Sequence, residues 1–367
     1  MKGISIMLKN KPLFNFTFIF LLLLSCLHSF PESTQKWKGN IKKEKGITTI
    51  INRGSGIYGK QIKYKINFKE ILNLGVNEGP EYLMFGRHIM IDVDSNQNIF
   101  VLDIQNYRLL KFDRNGKLLW ETGRKGQGPG EIEAPSDIKA TQNGKIVVAD
   151  HGGKLNYYNK NGDFLKMIKL EKVIKSIISF SNEGMIFANL WIKGRPGIAA
   201  ANFSREGNFI NFFPVEYHYG PELSSRRAYN LGGAFKLFNN RLFLSLPDKY
   251  EIRIFSLEGK ILTKIIRDIK IRQPILANGY KFIIRDISGP CYLTSNGFLI
   301  NKLYLQDKKN EDIHKTYLDF FNEKFKFLGS YPIQEDLYLA KVDQFNNFYF
   351  VQRYPFPKII KCFLHID

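Results

Sequence analysis

The chain has 367 residues, 44% of them hydrophobic and 14% aromatic, with 31 Phe and 18 Tyr. That is ample for one large packed domain or two, and the aromatic content favours β-structure. Three Cys and six His, none at metal-ligand spacing, exclude a metal-stapled chain. The formal charge of +20 comes from lysines scattered through every segment, which describes a solvated basic surface and not a dedicated polyanion groove.

The first residues read as an address. Lys2, Lys9 and Lys11 give a positive start, and the apolar run Leu13–Leu24 is too short for the roughly 20 residues that cross a bilayer. Residues 1–25 are therefore expected to be a signal peptide. The ending Leu23-Leu24-Ser25-Cys26 resembles the lipobox of bacterial lipoproteins, in which the Cys becomes a lipidated N-terminus. Residues 26–57, with little periodicity, are expected to be that lipidated N-terminus and a linker. Gln61–Phe68 alternates as a strand but has no hairpin partner of its own.

From there a unit repeats. Its clearest copy runs through Ser136–Ala140, Ile146–Asp150, Leu155–Asn159 and Phe164–Ile168, four β-type runs with Asn143-Gly144 in the first turn and Asn161-Gly162 in the last. Asn-Gly between such runs is a hairpin signal, because a type I′ turn needs positive φ at both central residues. The first-hairpin turn recurs at Asn96-Gln97-Asn98, Asn182-Glu183-Gly184, Asn239-Asn240, Asn296-Gly297 and Asn346-Asn347, each followed at once by an apolar run. Final turn residues at 98, 144, 184, 240, 297 and 347 give propeller-blade spacing with loop insertions. The second-hairpin turn recurs at Asn115-Gly116, Glu206-Gly207, Glu258-Gly259 and, more weakly, Asn322-Glu323.

The sixth unit reaches only its third strand, Ile359–Ile366, before the chain ends at Asp367. Pairing Gln61–Phe68 with that strand completes the blade and removes the edges an open array would expose. The expectation is an all-β, six-bladed β-propeller of four-stranded antiparallel blades over residues 58–367, its ring closed by an N-terminal strand on the C-terminal blade. Gly79-Pro80, Gly128-Pro129 and Gly220-Pro221 mark tight crossings between blades; no helix follows them, as a phosphate loop would require. Cys291 and Cys362 lie in apolar runs and are read as buried thiols, with a disulfide as the other reading.

The run Val101-Leu102-Asp103 through Asn106-Tyr107-Arg108 to Asp113 resembles an NHL-repeat blade, with an Asp ending the second strand and Asn-x-Arg opening the third. Gly126-Gln127-Gly128-Pro129-Gly130-Glu131 is similar to a junction of bacterial six-bladed propeller lipoproteins of that superfamily. The second unit keeps Asp150 but has Gly152-Gly153-Lys154 in place of Asn-x-Arg. The resemblance implies a fold and a binding role without one fixed chemistry.

In a propeller the starts of the inner strands and the loops between second and third strands share one face around the channel, where ligands sit. That placement nominates Arg87, His88, Asp137, His151, Trp191, Arg195 and Arg353 as ligand-binding residues. Guanidinium groups grip carboxylate or phosphate bidentately. Asp103 and Asp150, closing second strands, are expected to accept backbone N–H groups instead. The functional expectation is a non-enzymatic, extracytoplasmic ligand- or protein-binding propeller anchored to the cell envelope through Cys26. No catalytic residue, cofactor or metal is assigned. Its partner would be an acidic small molecule, a glycan or a protein, with no nucleic acid, and the chain a monomer. The alternative, implied by related metal-dependent lactonases and lyases, is an envelope hydrolase or lyase on the same face. Only Asp137 and His88 supply ligand types there, fewer than a hydrolytic metal requires.

Overall fold

In a computed structural model of the chain, the described residues are 36–367 except 142, 173, 182, 192–197, 214–234, 247–248, 273–274, 278–280, 284–285, 308–313, 335 and 367. Six antiparallel sheets form the ring. Their inner strands are Ile89–Val93, Pro135–Ala140, Ile174–Phe180, Phe235–Phe238, Asp286–Leu293 and Leu337–Val342 in blades 1 to 6. In blades 1, 2, 3 and 5 the four strands follow one another in sequence order.

The turns are made by local chemistry. Asn239 and Asn240, with φ of 47° and 54°, form the one first-hairpin turn with two left-handed residues among the described ones. Elsewhere the loop is longer than the two-residue type I′ turn expected from Asn-Gly. A single left-handed residue closes it: Gln97, Gly144, Gly184, Gly297 or Asn346. The side chain that opens the loop holds it. Asp94 accepts from the N–H groups of Asn96 and Asn98 (2.9 and 2.8 Å), and Asp343 from those of Phe345 and Asn347 (2.8 and 2.9 Å). The hydroxyls of Thr141, Ser181 and Thr294 do the same for Lys145, Met185 and Phe298 at 3.1, 3.0 and 2.9 Å. Such a turn with one left-handed residue follows the right-handed twist of the strands as well as a type I′ turn does.

The core is divided among the junctions. Six clusters of buried apolar side chains each draw on two neighbouring blades: Phe100 and Leu102 meet Ile146 and Val148 between blades 1 and 2, and Tyr349 and Val351 meet Ile91 and Val101 between blades 6 and 1. Apolar surface is thus buried chiefly between sheets, and the middle of the ring mixes polar and apolar groups. Cys291 and Cys362 are free and lie in different clusters, and burial pushes each thiol up to about 11.

The ring closes between the chain's two ends. Lys358–Ile366, the third strand of blade 6, pairs antiparallel with Ile66–Leu74, with Ile359 opposite Leu74 and Leu364 opposite Phe68. The closing strand therefore lies later than Gln61–Phe68. Residues 59–65 form short helical turns, and Ile62 and Ile66, each 1% exposed and four apart, pack beside Leu328 and Phe350. Four-residue spacing belongs to a helical turn, so the apolar pattern here mixes two periods.

Residues 26–57 are not linker throughout. Gly39–Glu44 and Ile47–Asn52 form a hairpin whose second strand runs parallel to Ile261–Arg267, making blade 4 six-stranded. Ile47-Thr48-Thr49-Ile50-Ile51 is rich in β-branched residues, and that strand propensity outweighs its poor alternation. The chain then crosses the rim of blade 5, where the N–H groups of Ile57 and Tyr58 donate to the carbonyls of Phe327 and Leu328 at 3.1 and 2.8 Å. Cys26 lies outside the described residues. Among those described, no helix is long and apolar enough to cross a membrane.

Candidate functional site in the central channel

Cross-strand register defines one tier of the channel. Asp92, Lys139, Ser179, Lys236, Tyr292 and Lys341 pair with Phe100, Val147, Phe187, Phe243, Ile300 and Tyr349, so they hold the same place on six successive inner strands. This waist separates two cavities of about 480 Å³ each. One cavity opens on the face that carries the starts of the inner strands, the other on the opposite face.

The waist is ionic. Lys341 pairs with Asp92, whose other oxygen accepts from the N–H of Ala140 at 2.9 Å. Lys139 lies 2.9 Å from Asp137. Burial disfavours the Asp92 anion, but Lys341, Lys139 and Lys236 outweigh it and hold the carboxyl below its usual range. Burial likewise opposes charge on Lys139, yet Asp137 and Asp92 raise it. Lys236 goes the other way. Burial, with Lys139 and Lys341 adding to it, pushes the amine down to about 8 against the pull of Asp92 and Asp137.

The first cavity gathers Arg87, His88, Asp137 and Arg353 from blades 1, 2 and 6. The Arg353 guanidinium lies 5.3 Å from the centre of the Tyr338 ring, and the Tyr338 hydroxyl donates to the carbonyl of Ile89 at 3.0 Å. Burial pushes that phenol up to about 12 although Arg353 pulls it down, so it remains a neutral donor. Arg87 and Arg353 carry no ion pair among the described residues. Both are exposed, whereas less exposed arginines are engaged: Arg108 with Asp103 at 3.2 Å, Arg267 with Asp319 at 2.5 Å, Arg272 with Asp286 at 2.7 Å.

The other nominated residues do not join this group. His151 is exposed and is held through its main-chain N–H to Ala134 at 3.0 Å. Trp191 ends the strand Ile186–Trp191, with its side chain outside the described residues, as is all of Arg195. Asp103 accepts from the N–H of Gly86 (3.1 Å), from the Asn106 side chain (2.8 Å) and from Arg108, and Asp150 accepts from the N–H of Lys154 at 2.8 Å. Both aspartates build loops, as expected of their positions.

The lysine tier escaped the sequence reading. Its signal is a lysine between apolar residues, Ile138-Lys139-Ala140, Phe235-Lys236-Leu237 and Ala340-Lys341-Val342, at matching places in three inner strands. Among the described residues no three His, Cys, Asp or Glu side chains are grouped to hold a metal ion. A larger cavity, about 780 Å³, lies between blades 4 and 5, but its Arg267 and Arg272 are already committed to carboxylates.

Comparison with known proteins agrees with this architecture. A family model described as a 6-bladed beta-propeller (DUF5128) matches residues 88–267. A DUF4221 family member from Bacteroides vulgatus is 11% identical with a TM-score of 0.60, covering 83% of this chain and 99% of that one. A protein of Bacteroides fragilis whose name marks it as a candidate exported protein is 15% identical with a TM-score of 0.61, covering 87% and 99%. A virginiamycin B lyase from Staphylococcus aureus is more remote, 13% identical with a TM-score of 0.47 over 83% and 100%. At these identities the likeness is one of fold.

Proposed function

We propose that the protein is a non-enzymatic binding propeller whose channel receives an anionic group of a small acidic molecule, a glycan or a protein partner. The observation that carries this reading is a local surplus of cations. The first cavity is lined by Arg87, Arg353, Lys139 and Lys236 against Asp92 and Asp137, with the two arginines exposed at its mouth; the second, with Lys236 and Lys341 against Asp94 and Asp343, has no such surplus. Two guanidinium groups at the mouth of a concave, partly apolar pocket can take a carboxylate or phosphate in the bidentate manner. Lys139 and Lys236 lie deeper than the exposed arginines and are less screened by water, so an anion entering the cavity offsets their mutual repulsion. The apolar run before Cys26 and the exported relative support an extracytoplasmic place, with Cys26 as the envelope anchor.

The test is a thermal-shift and calorimetric screen of carboxylates, uronic-acid oligosaccharides and sugar phosphates. At least one class should raise the melting temperature, and Arg87→Ala with Arg353→Ala should weaken its binding by about 10- to 100-fold, a loss of two charge-assisted contacts. Chelators should leave that binding unchanged. A divalent ion retained at one equivalent and lost in Asp137→Asn would turn the reading toward a metal-dependent hydrolase or lyase.

A further inference from the structure

Two of the three waist lysines have carboxylate partners; the third does not. Lys341 is paired with Asp92 and Lys139 with Asp137, while Lys236 has no ion pair or hydrogen bond among the described residues. Its ammonium lies over the Tyr292 ring, 5.4 Å from the ring centre. The Tyr292 hydroxyl is occupied, donating to the carbonyl of Leu339. Among the described residues, Lys236 and Tyr292 are also the two that border both channel cavities. An ammonium so placed is open to whatever enters from the Arg87 and Arg353 mouth.

We propose that Lys236 is the floor of the binding channel, an oxyanion subsite that takes the leading carboxylate or phosphate-type group of a ligand entering past Arg87 and Arg353. This rests on the channel-binding reading and adds to it where the ligand ends and what its innermost group must be. An aromatic face offers an ammonium a weak attraction and no neutralising charge. An oxyanion at the same place supplies the missing charge in a partly desolvated setting, where such contacts are strongest. Lys139 and Lys341, although paired, add a positive field from either side.

The depressed amine gives the subsite a signature. Near pH 7 Lys236 is mostly protonated and can bind; as pH rises through about 8 it becomes neutral and the subsite is lost. Bound anion favours the charged form, so between pH 8 and 9 binding takes up a proton.

Titration calorimetry of the full-length protein with sulfate and with succinate, both fully ionised from pH 7 to 9, tests this. Comparing the two at equal concentration tells a tetrahedral oxyanion from a carboxylate. At least one should bind about tenfold more weakly at pH 9 than at pH 7, with proton uptake seen as a dependence of the heat on buffer ionisation. Lys236→Met should abolish the proton uptake and weaken binding at pH 7 by at least about tenfold. Lys236→Arg, which stays charged, should restore binding and remove its fall at pH 9. Absence of binding by both anions to the native protein, or unchanged binding by Lys236→Met, overturns the subsite. The mouth is judged separately: if Arg87→Ala with Arg353→Ala weakens ligand capture while Lys236→Met does not, the channel reading stands and its floor lies elsewhere.

Discussion

Asn52 is fully buried and uses each face of its amide. Its oxygen accepts from the Phe327 N–H at 2.8 Å and the Trp37 indole at 2.9 Å; its nitrogen donates to the carbonyls of Phe325 and Ile266 at 3.2 and 3.4 Å. One side chain thus ties the N-terminal hairpin to blades 4 and 5. Asn52→Ala leaves these groups unpaired in the interior and should lower stability by about 2–4 kcal/mol, read from the shift of a denaturant midpoint at constant slope. Lys236 has the opposite sign. Its folded-state value is depressed to about 8 against 10.5. The folded protein therefore binds fewer protons than the unfolded chain between those values, and its stability rises with pH across that window. Lys236→Met should be more stable than the native protein at pH 7, by about 1 kcal/mol after allowing for water in the channel, with the difference shrinking toward pH 10. The carboxylates work at the acid end. Asp286, although burial opposes its charge, is lowered by Arg272 and by the main-chain N–H groups of Arg272 and Gln306. It and Asp92 contribute stability that is present above about pH 4 and lost as pH falls below it, so a thermal melt series should drop there.

At the scale of elements, residues 39–65 are a strap laid over the outer edge of blades 4 and 5. Its crossing has no room for a side chain at Gly56: φ is +91°, and an added Cβ would come within 2.6 Å of the Leu328 carbonyl oxygen and 2.8 Å of the Gly329 nitrogen. Gly56→Ala combines left-handed strain with a backbone clash and should cost about 2–4 kcal/mol, visible as a fall in melting temperature and faster proteolysis between residues 36 and 65. The strap was the least legible part of the chain. Ile47–Asn52 lies between Gly39–Glu44, the edge strand, and Ile261–Arg267, and a parallel partner more than two hundred residues away leaves no mark in local sequence. The turns were legible because each is settled within about five residues, by left-handed Asn, Gln or Gly and, outside blade 4, an Asp, Thr or Ser that opens the loop.

The whole molecule is a ring held by six like junctions, and its weak point is the place where the ends meet. A chain starting at residue 54 would lose the hairpin but keep Ile66–Leu74 against Lys358–Ile366; it should remain soluble and melt several degrees lower. A chain starting at residue 75 would bare the edge of Lys358–Ile366 and strip Ile66 and Leu74 from two junction clusters. It should be recovered as aggregate, and recovery of a soluble, cooperatively melting form would contradict closure as described. The sequence by itself determined the six-fold repeat, closure of the ring by a strand from the N-terminal side, though not its bounds, and the placing of Arg87, His88, Asp137 and Arg353 on one channel cavity, since turn chemistry and the alternation of strands are local and a repeat multiplies a weak signal. Only the tertiary structure decided that Lys139, Lys236 and Lys341 share a tier and that the Lys236 ammonium makes no direct ion pair among the described residues. Charge compensation depends on which side chains face one another across a channel, and residues as far apart in sequence as Asp92 and Lys341 show nothing of their nearness until the ring is closed.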